Sequence, residues 1–565
     1  MNLARYCIAR SARQRPGATA LCFAEQVTGD STGPQLYLRE YSFAQLESRV
    51  LAIAAALSGL DAQPGDRALV RLGHSPEFAF AFFGAIAAGL VAVPVSPQLT
   101  AAEVDFLIAD ARPALIFYAA DLPVPERRTG EQSPRWIPLE ELLDMAQTAP
   151  ATRVPPEARA LHETPTASGE LAGAAGRGLE YAATLAEDPA FLVYTSGTTG
   201  RPKGVLHAQR SAAGRRPMLA GWSGLGPGDR LLHAGQLNWT YSLGVGLMDP
   251  WAAGAAGLLY AGPPGEPTIW ARLIDELQAT IFAAVPSLYR RVLKYTEATT
   301  LRNLPTLRHG LTAGEALTPE LHAAWTQATG TDLYEALGMS EISTYISSGP
   351  QTPTRPGSPG RAQPGRRVAI LKDETEALEF CGPDEAGLLA VHRSDPGLML
   401  GYWNRPEEES SVYYGEWFAG GDRASIDADG YVRYLGRRDE VMNASGYRVS
   451  PLEVERALAT CPIISEVAVC EISPAPGIQV IAAFVVPADS ALLAHAAAVD
   501  AESSEQNETR QVIAGLESAE EYKRAILAFA AEHLAAYKRP REIYFRAALP
   551  RTANGKVIRN QLRPD

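Results

Sequence analysis

A long uncharged stretch, from Phe78 to Val95, most constrains the fold of this chain. It is long enough to cross a bilayer, but its composition changes at Gly89. The residues before Gly89 are mainly Ala and Phe, which favour a helix. Those after it are mainly β-branched, which favours a strand that ends near Pro94. A buried helix followed by a buried parallel strand therefore explains the stretch better than a membrane span.

Helix-like and strand-like segments alternate through the first part of the chain. This alternation predicts βα units and mostly parallel sheets. The expected helices and strands include, in chain order, 46–57, 67–72, 101–109, 114–118, 190–194 and 281–286. By contrast, region 123–179 is rich in Pro, Glu, Ala and Gly and only weakly periodic, so we interpret it as an irregular surface excursion.

The chain is too long for one hydrophobic core, because its 565 residues exceed the roughly 250–300 at which single cores stop growing. A break in the pattern falls at 436–439. Beyond the break, a compact α+β unit is expected, with helices at 451–459 and 520–534 and strands at 464–472 and 478–486.

Charge and cysteine content restrict the partners and the compartment. The net charge of -13 disfavours nucleic acid as a partner, because a basic footprint is missing. The five cysteines are scattered, odd in number and without metal-ligand spacing, which favours a reducing cytoplasm. The start of the chain lacks the apolar core of a signal peptide. We interpret its Arg-rich composition as a first amphipathic helix, with a transit peptide as the alternative.

Residues 195–204, which follow the strand 190–194, form a loop suited to phosphate. Its glycines let the backbone approach an anion closely, and its hydroxyls and Lys203 can donate to phosphate oxygens. It is not a Walker A loop, because the required Gly-Lys-Ser/Thr does not follow. A flexible Gly/Thr-rich linker is the alternative, but linkers rarely follow a strongly apolar run.

The order of residues in this loop resembles the signature loop of the adenylate-forming superfamily, which includes acyl-CoA synthetases, aryl-CoA ligases and luciferases. Further matches occur in the superfamily's order along nearly the whole chain. The resemblance implies an α/β fold with a large N-terminal domain (1–436) of mostly parallel sheets flanked by helices, plus a β-barrel-like layer. It also implies a hinge (437–440) that pivots at Asp439, and a small mobile α+β C-terminal domain (441–565).

The segment 334–341 resembles the Tyr-Gly-x-Thr-Glu motif, with Ser340 in the Thr place and Glu341 in the Glu place. The resemblance implies that Glu341 binds Mg²⁺ on the triphosphate, a role that suits a hard carboxylate ligand. Leu337 departs from the aromatic that often packs on adenine. The implied ATP-binding residues are Thr195, Ser196, Gly197, Thr198, Thr199, Gly200, Lys203, Gly314, Glu315, Ala316, Glu335, Ala336, Leu337, Gly338, Met339, Ser340, Asp422, Arg437 and Lys556.

Three of these residues carry specific expectations. Asp422, in a segment that resembles Thr-Gly-Asp, is expected to accept both ribose hydroxyls. Arg437 is expected to bind the ribose or a phosphate. Lys556 lies in a segment that resembles the catalytic-lysine loop, where an ammonium offsets the repulsion between the attacking carboxylate and the α-phosphate. Ordinary turn and surface roles are the alternatives for each.

The segment after the hinge resembles the one that lines the pantetheine tunnel, which implies CoA binding by Ser445, Gly446, Tyr447 and Arg448. The segment 236–244 lies where the family builds its acid pocket. Asn238 replaces the Asp that pairs with an amino group in peptide synthetases, so an α-amino acid substrate is disfavoured. The expected acid-pocket residues are Asn238, Trp239, Tyr241, Val285, Ala313, Gly338 and Met339, with core packing as the alternative for Tyr241 and Met339.

These expectations favour a carboxylic acid–CoA ligase that acts on a small aromatic or a short- to medium-chain acid. The expected catalytic residues are Lys203, Glu341 and Lys556, and the expected cofactors are ATP, Mg²⁺ and coenzyme A. The whole sequence looks closest to benzoate-type and medium-chain ligases. An adenylating enzyme that delivers its acyl group to a carrier protein or an amine is the alternative, and a non-catalytic nucleotide-binding relative is a third. We further expect a monomer or homodimer, and a lysine acetyltransferase and deacetylase acting on Lys556.

Overall fold

A computed structural model describes residues 1–28, 34–122, 133–148, 158–160, 180–196, 202–262, 266–373, 378–438, 442–444, 447–475, 478–488, 519–534, 538–551 and 557–562. The chain divides into two compact units. Unit 1 comprises Met1–Val368, Val391–Gly420 and Gly430–Val432, and unit 2 comprises Ala369–Ala390, Gly421–Asp429 and Arg433–Asp565. The predicted division at 436 and the predicted hinge at 437–440 remain predictions.

One sheet of unit 1 carries the phosphate loop. Its strands, in spatial order, are Gly401–Tyr402, Pro202–Ala208, Pro189–Ser196, Val91–Pro94, Arg67–Arg71, Leu115–Tyr118 and Arg135–Pro138. The strands from Pro189–Ser196 to Arg135–Pro138 are parallel, whereas the first two strands run antiparallel to their neighbours. The loop therefore leaves a parallel strand at its carboxyl end, where α/β proteins usually bind ligands.

A second sheet of unit 1 has a parallel centre with antiparallel strands on either side. Among the described residues this sheet has 16 strands. Counted from one edge, the first ten in spatial order are Ala158–Ala160, Pro34–Ser42, Thr19–Thr28, Ala256–Ala261, Arg230–His233, Ile281–Ala284, His309–Ala313, Asp332–Met339, Ser343–Ser347 and Gly360–Ala362, and the last of these pairs with Tyr431–Arg437. Those from Thr19–Thr28 to Asp332–Met339 are parallel. The carboxyl ends of neighbouring parallel strands consequently meet at one edge.

The hydrophobic core of unit 1 joins the two sheets through buried helices. Its largest cluster combines side chains of the helices Leu3–Gln14, Phe43–Ser58 and Pro76–Ala87 with apolar residues from strands of both sheets. Helix Pro76–Ala87 is buried along its whole length except for Glu77. It packs so closely on Phe43–Ser58 that a Cβ at Gly84 would lie 2.6 Å from Ile53 Cγ2.

The uncharged stretch of the sequence divides as predicted. Its first part forms the helix Pro76–Ala87, its second part forms the strand Val91–Pro94, and Gly89 reverses the chain between them with φ +85°. Among the described residues, no helix combines the length and the hydropathy needed to span a membrane.

Further elements of unit 1 lie between these strands. The helices are Ala101–Ala111, Leu139–Thr148, Ser211–Gly214, Arg216–Met218, Leu219–Ser223, Thr240–Leu243, Gly244–Met248, Asp249–Ala253, Ile269–Glu276, Pro286–Tyr295, Ala298–Arg302, Pro319–Thr329 and Pro406–Ser410. Leu219–Ser223 and Gly244–Met248 are π-helical. Two short strands, Tyr413–Tyr414 and Trp417–Phe418, form a hairpin.

Unit 2 contains a three-stranded sheet with helices packed on it. The strands Ile464–Ala475 and Ile478–Pro487 are antiparallel, and Glu542–Phe545 joins them in parallel. The other elements are the strands Asp422–Ile426, Met442–Ala444 and Tyr447–Val449, the helices Pro451–Leu458 and Ala519–His533, and the short helix Arg559–Gln561. The strands Val368–Leu371, Gly387–His392 and Tyr431–Arg437 contain the divisions between the units.

The predicted fold class is confirmed, with two corrections. The antiparallel strands do not close into a barrel among the described residues, so the predicted barrel-like layer is an open sheet. The region 123–179 is also more regular than predicted, because it contains the strand Arg135–Pro138 and the helix Leu139–Thr148. Both are short, and Arg135–Pro138 is stabilised by pairing with Leu115–Tyr118, a tertiary contact that periodicity does not reveal.

Candidate active site

Two paired strands flank the centre of the phosphate loop and include its first and last residues. The strands Pro189–Ser196 and Pro202–Ala208 pair antiparallel, with Thr195 opposite Lys203. We name these two strands the phosphate-loop hairpin. Its turn, which includes Gly197, Thr198, Thr199 and Gly200, lies outside the described residues. The sequence predicted the first strand but not the second. The pairing therefore places Lys203 directly beside the first strand.

Lys203 and Glu341 lie close together beside this hairpin. Lys203 Nζ is 3.6 Å from Glu341 Oε1, and Glu341 is 8% exposed. Tyr402, which the sequence argument missed, contacts both: its hydroxyl donates to Glu341 Oε1 at 2.6 Å, and its ring centroid lies 3.9 Å from Lys203 Nζ. Predicted phosphate-binding and metal-binding residues that are far apart in sequence thus form one charged cluster.

The loop end of the hairpin is held by Asp110, at the end of helix Ala101–Ala111. Its carboxylate accepts from the Tyr194 hydroxyl at 2.7 Å and from Arg405 Nη2 at 2.9 Å. Its backbone carbonyl accepts from Trp403 Nε1 at 3.1 Å, and Trp403 N donates in turn to Gly204 O at 2.8 Å. Burial, and then the hydrogen bond to Asp110, raise the pKa of Tyr194, so its hydroxyl remains a donor. We name these four residues, Asp110, Tyr194, Trp403 and Arg405, the hairpin clamp.

The charged cluster is compatible with a magnesium ion that also binds substrate oxygens. Among the described residues, no group of three or more His, Cys, Asp and Glu side chains could hold a metal by itself. Mg²⁺ normally takes one or two protein carboxylates together with substrate phosphates and water. Glu341 makes its described side-chain contacts through Oε1, which leaves Oε2 available for such a role.

Predicted acid-pocket residues meet at the carboxyl edge of the second sheet. Trp239 follows the strand Arg230–His233, and Val285 follows Ile281–Ala284. Both lie over Gly314, where a Cβ would be 3.5 Å from the Trp239 indole and 3.8 Å from Val285 Cγ1. Ala313 is buried in an apolar cluster, and Trp239 packs against that cluster. This arrangement gives an apolar wall with one aromatic face.

Tyr241 packs in the core behind this wall. It is 7% exposed, lies edge-on to Trp239 at 5.2 Å, stacks on Trp222 at 6.0 Å, and its hydroxyl donates to Leu311 O at 3.4 Å. These contacts are those of a core residue that supports the pocket wall. Core packing is the alternative that the sequence leaves open for Tyr241. Asn238 is half-buried.

Met339 and Gly338 lie at the end of the strand Asp332–Met339, the next parallel strand of this edge. Met339 lies against Gly420, where a Cβ would be 2.8 Å from its Sδ. A Cβ at Gly338 would lie 2.4 Å from Ser343 O, so the glycine is needed for strand pairing. Leu337 and Ala336 belong to the same strand, where Ala336 is buried and Leu337 half-buried.

Two predicted adenine-side carboxylates make structural hydrogen bonds. Glu315 accepts from Ser287 N at 3.1 Å and from the Ser287 hydroxyl at 2.9 Å, at the first turn of helix Pro286–Tyr295. Glu335 is buried and accepts from Leu317 N at 3.0 Å. These bonds stabilise the segment that contains Gly314 and Ala316, with φ +91° at Gly314. Any contact of this segment with adenine remains a prediction.

A small, mainly apolar cavity lies beside Ser340. Its volume is about 20 Å³, enough for about one water molecule and too small for a carboxylic acid substrate. His207 Nε2 donates to Ser340 O at 2.8 Å, and the buried His207 Nδ1 and Ser211 Oγ have no hydrogen-bond partner among the described residues. Burial lowers the pKa of His207 to about 4, so the ring is neutral. This cavity is not the acid pocket.

In unit 2, Asp422 and Arg437 form a second cluster of predicted ATP-binding residues. Asp422 is 6% exposed; its Oδ1 accepts from the Tyr434 hydroxyl at 3.0 Å and lies 3.7 Å from Arg437 Nη1. Gly421 allows this approach: it has φ +92°, and a Cβ there would lie 3.0 Å from Arg437 Nη2. The sequence predicted Asp422 and Arg437 but not Tyr434.

Several predicted site residues cannot be placed. Lys556, Asp439, Ser445 and Gly446 lie outside the described residues, and for Tyr447 and Arg448 only the backbone strand Tyr447–Val449 is described. Their predicted roles remain predictions.

Comparison with known proteins identifies the family to which this arrangement belongs. The profile of the AMP-binding enzyme family matches residues 8–403, and that of the AMP-binding enzyme C-terminal domain matches residues 453–556. The chain belongs to the AMP-binding enzyme family. The two matches include Lys203, Glu341 and Lys556, in the order that the predicted motifs require.

Relatives that match over most of the chain are acyl- and aryl-CoA ligases. The 3-hydroxybenzoate–CoA ligase of Aromatoleum sp. (strain CIB) is 30% identical over 526 residues, which cover 93% of this chain and 91% of that protein. The mitochondrial acyl-coenzyme A synthetase ACSM5 of Homo sapiens is 29% identical over 563 residues, covering 94% of this chain and 85% of that protein.

A solved structure of an aryl-CoA ligase is similar over nearly its whole length. The anthranilate CoA ligase AuaEII, in complex with anthranoyl-AMP, has a TM-score of 0.77 and 26% sequence identity, covering 99% of this chain and 96% of that chain. These matches confirm the predicted family and enzyme class, an AMP-forming acyl- or aryl-CoA synthetase. Enzymes of this class use ATP, Mg²⁺ and CoA, as predicted.

Proposed function

We propose that this member of the AMP-binding enzyme family ligates a small aromatic or a short- to medium-chain carboxylic acid to CoA in two steps. The acid carboxylate attacks the α-phosphorus of ATP, the bond to the pyrophosphate oxygen breaks, and an acyl-adenylate forms. The CoA thiol then attacks the acyl carbon, and AMP leaves. The observation that carries the proposal is the Lys203–Glu341 cluster beside the phosphate-loop hairpin.

The cluster suits the first step because it combines a cation and a carboxylate at the triphosphate. Lys203 would donate to β- and γ-phosphate oxygens and hold the departing pyrophosphate. Glu341 would hold Mg²⁺, which when bound neutralises negative charge on the phosphates. In unit 2, Asp422 would accept the ribose hydroxyls, and Arg437 would orient the nucleotide.

Lys556 is proposed to act in adenylation. Its ammonium would lie between the acid carboxylate and the α-phosphate and would stabilise the negative charge there in the transition state. We propose that the C-terminal part then rotates about Asp439, so that Lys556 leaves and Ser445, Gly446, Tyr447 and Arg448 approach the pantetheine arm. Acetylation of Lys556 would remove its charge and would inhibit adenylation more than thioester formation.

The acid pocket supports a compact apolar substrate. Trp239, Val285 and Gly314 provide an aromatic and aliphatic wall with no charged side chain among them. An α-amino acid would need a carboxylate for its ammonium group, and Asn238 cannot supply one. The relatives named for 3-hydroxybenzoate and anthranilate also act on small aromatic acids.

A substrate screen tests the proposal. Aromatic acids (benzoate, hydroxybenzoates, anthranilate) and aliphatic acids of increasing length are each incubated with the enzyme and MgATP, with hydroxylamine to trap acyl-adenylates. The screen is then repeated with CoA. We expect hydroxamates from aromatic or short aliphatic acids, and CoA thioesters with stoichiometric AMP in the second screen. An acyl-adenylate without a CoA thioester would instead support delivery to a carrier protein or an amine. No adenylate from any acid would contradict the proposal.

A further inference from the structure

Tyr402 contacts both of the opposite charges in the Lys203–Glu341 cluster. It lies on the strand Gly401–Tyr402, which pairs antiparallel with the second strand of the phosphate-loop hairpin. This pairing places Tyr402 opposite Val205, two residues after Lys203. Tyr402 is 5% exposed, so its position is fixed by packing as well as by hydrogen bonding.

The ring of Tyr402 binds the Lys203 ammonium. Nζ lies 3.9 Å from the ring centroid, well within the range of a cation–π interaction. An ammonium has three protons to donate, yet within the described part of the chain Lys203 Nζ makes no hydrogen bond. The ring therefore stabilises the ammonium charge, while no described nitrogen or oxygen atom accepts a hydrogen bond from Nζ.

The hydroxyl of Tyr402 binds the Glu341 carboxylate. It donates to Oε1 at 2.6 Å, the length of a strong O–H···O⁻ bond. Lys203 Nζ lies 3.6 Å from the same oxygen, beyond the 2.7–2.9 Å typical of a charge-assisted N–H···O bond. Tyr402 thus forms the short hydrogen bond to the carboxylate oxygen nearest Lys203, while Lys203 and Glu341 do not form a closed ion pair.

From this geometry we propose that Tyr402 is a positioning residue for ATP activation, which keeps Lys203 and Glu341 close together but not bonded to each other. The Lys203 protons then point to phosphate oxygens, and Glu341 Oε2 is available to the magnesium ion of MgATP. The inference rests on the proposed roles of Lys203 and Glu341. The hydroxyl acts through Glu341, and the ring acts through Lys203.

Two substitutions separate these actions. Tyr402→Phe removes the hydroxyl and keeps the ring, whereas Tyr402→Leu removes both. Equilibrium binding is measured by calorimetry with MgATP and with ATP in EDTA, beside thermal unfolding. We expect Tyr402→Phe to weaken MgATP binding about ten- to hundredfold, the effect of one hydrogen bond to a charged group, and to weaken metal-free ATP binding less, because only MgATP also uses Glu341. Tyr402→Leu should weaken binding of both.

A double-mutant cycle with Glu341→Gln distinguishes positioning from a general structural role. If the hydroxyl acts through the carboxylate, Tyr402→Phe should have little effect on MgATP binding in the Glu341→Gln background. Tyr295→Phe is the matched control, because Tyr295 is exposed and also lies near a lysine, with Lys294 Nζ 5.3 Å from its ring centroid. It should not change either affinity.

The inference is wrong if Tyr402→Phe weakens the binding of MgATP and of metal-free ATP equally. It is also wrong if the effect of Tyr402→Phe on MgATP binding persists in the Glu341→Gln background. Finally, it is wrong if Tyr402→Phe has no effect while Glu341→Gln and Lys203→Ala both weaken MgATP binding. If neither Glu341→Gln nor Lys203→Ala weakens MgATP binding, the proposed roles of these two residues fail instead.

Discussion

Gly421 shows how a single residue without a side chain positions two functional groups of unit 2. Its φ of +92° is a conformation that residues with a side chain rarely adopt, and a Cβ there would lie 3.0 Å from Arg437 Nη2. The glycine thus lets the Arg437 guanidinium approach Asp422, at 3.7 Å.

Gly421→Ala should reduce both stability and nucleotide affinity. We expect about 1–2 kcal/mol of lost unfolding free energy from backbone strain and weaker MgATP binding because Arg437 must move. Gly330→Ala is the control, since Gly330 has φ +74° but open space around its Cα. It should lose similar stability while keeping its MgATP affinity, as measured by thermal unfolding and calorimetry. Equal affinities for the two variants would contradict the assigned role of Arg437.

Lys556→Ala should separate the two half-reactions. Without the ammonium, adenylation should fall by about two orders of magnitude or more, whereas CoA thioester formation from supplied acyl-adenylate should be largely retained. Hydroxamate trapping and thioester chromatography measure the two steps. Lys523→Ala, on the exposed side of helix Ala519–His533, should change neither. Equal loss in both steps would mean that Lys556 does not act specifically in adenylation.

At the scale of elements, the hairpin clamp determines how rigidly the phosphate loop is supported. Asp110 comes from a helix, Tyr194 from the first hairpin strand, and Arg405 from the segment after Gly401–Tyr402. Removal of the Asp110 carboxylate leaves the half-buried Tyr194 hydroxyl without its described partner, which is costly, and removes one of the partners of the Arg405 guanidinium.

Asp110→Ala should therefore destabilise the enzyme by about 1–3 kcal/mol and raise the KM for MgATP, because the loop loses its support. Urea unfolding and steady-state kinetics at saturating acid measure these effects. Glu416→Ala removes an exposed ion pair, with Arg393 at 3.3 Å, and should cost about 1 kcal/mol or less without a change in KM. An unchanged KM for Asp110→Ala would show that the clamp does not support the loop.

For the whole molecule, buried histidines predict acid sensitivity. Burial lowers the pKa of His207 and His309 to about 4 and that of His233 to about 3, against an ordinary value near 6.5. The unfolded chain binds protons to these rings more readily than the folded chain does. The contribution of these neutral histidines to the free energy of unfolding should thus be fully present above about pH 6.5 and should fall as the pH drops from 6.5 toward 4.

Urea unfolding between pH 7.5 and pH 4.5 measures this dependence. His233→Leu, which removes a buried titrating group, should reduce the slope of unfolding free energy against pH, although its absolute stability is lower. His533→Gln changes an exposed residue and should leave the slope as in the native protein. A slope unaffected by His233→Leu would contradict this origin of acid sensitivity.

The sequence by itself determined the family and the fold class, and it predicted the charged residues of the candidate site. Motifs have this power because their residue types carry the chemistry: glycines admit an anion, lysine binds phosphate, and carboxylates bind metal or ribose. Lys203 and Glu341 were predicted separately and lie in one cluster in unit 1. Asp422 and Arg437, also predicted separately, lie in a second cluster in unit 2.

Only the tertiary structure decided which neighbours position these residues. Tyr402, Tyr434 and Asp110 belong to no motif considered from the sequence, and each contacts a site residue or its supporting strand through strand pairing or packing across long sequence distances. Tertiary packing likewise made Tyr241 a core residue and bonded Glu315 to Ser287. Local sequence specifies what a side chain can do, whereas long-range contacts specify where it is held and what it is left free to bind.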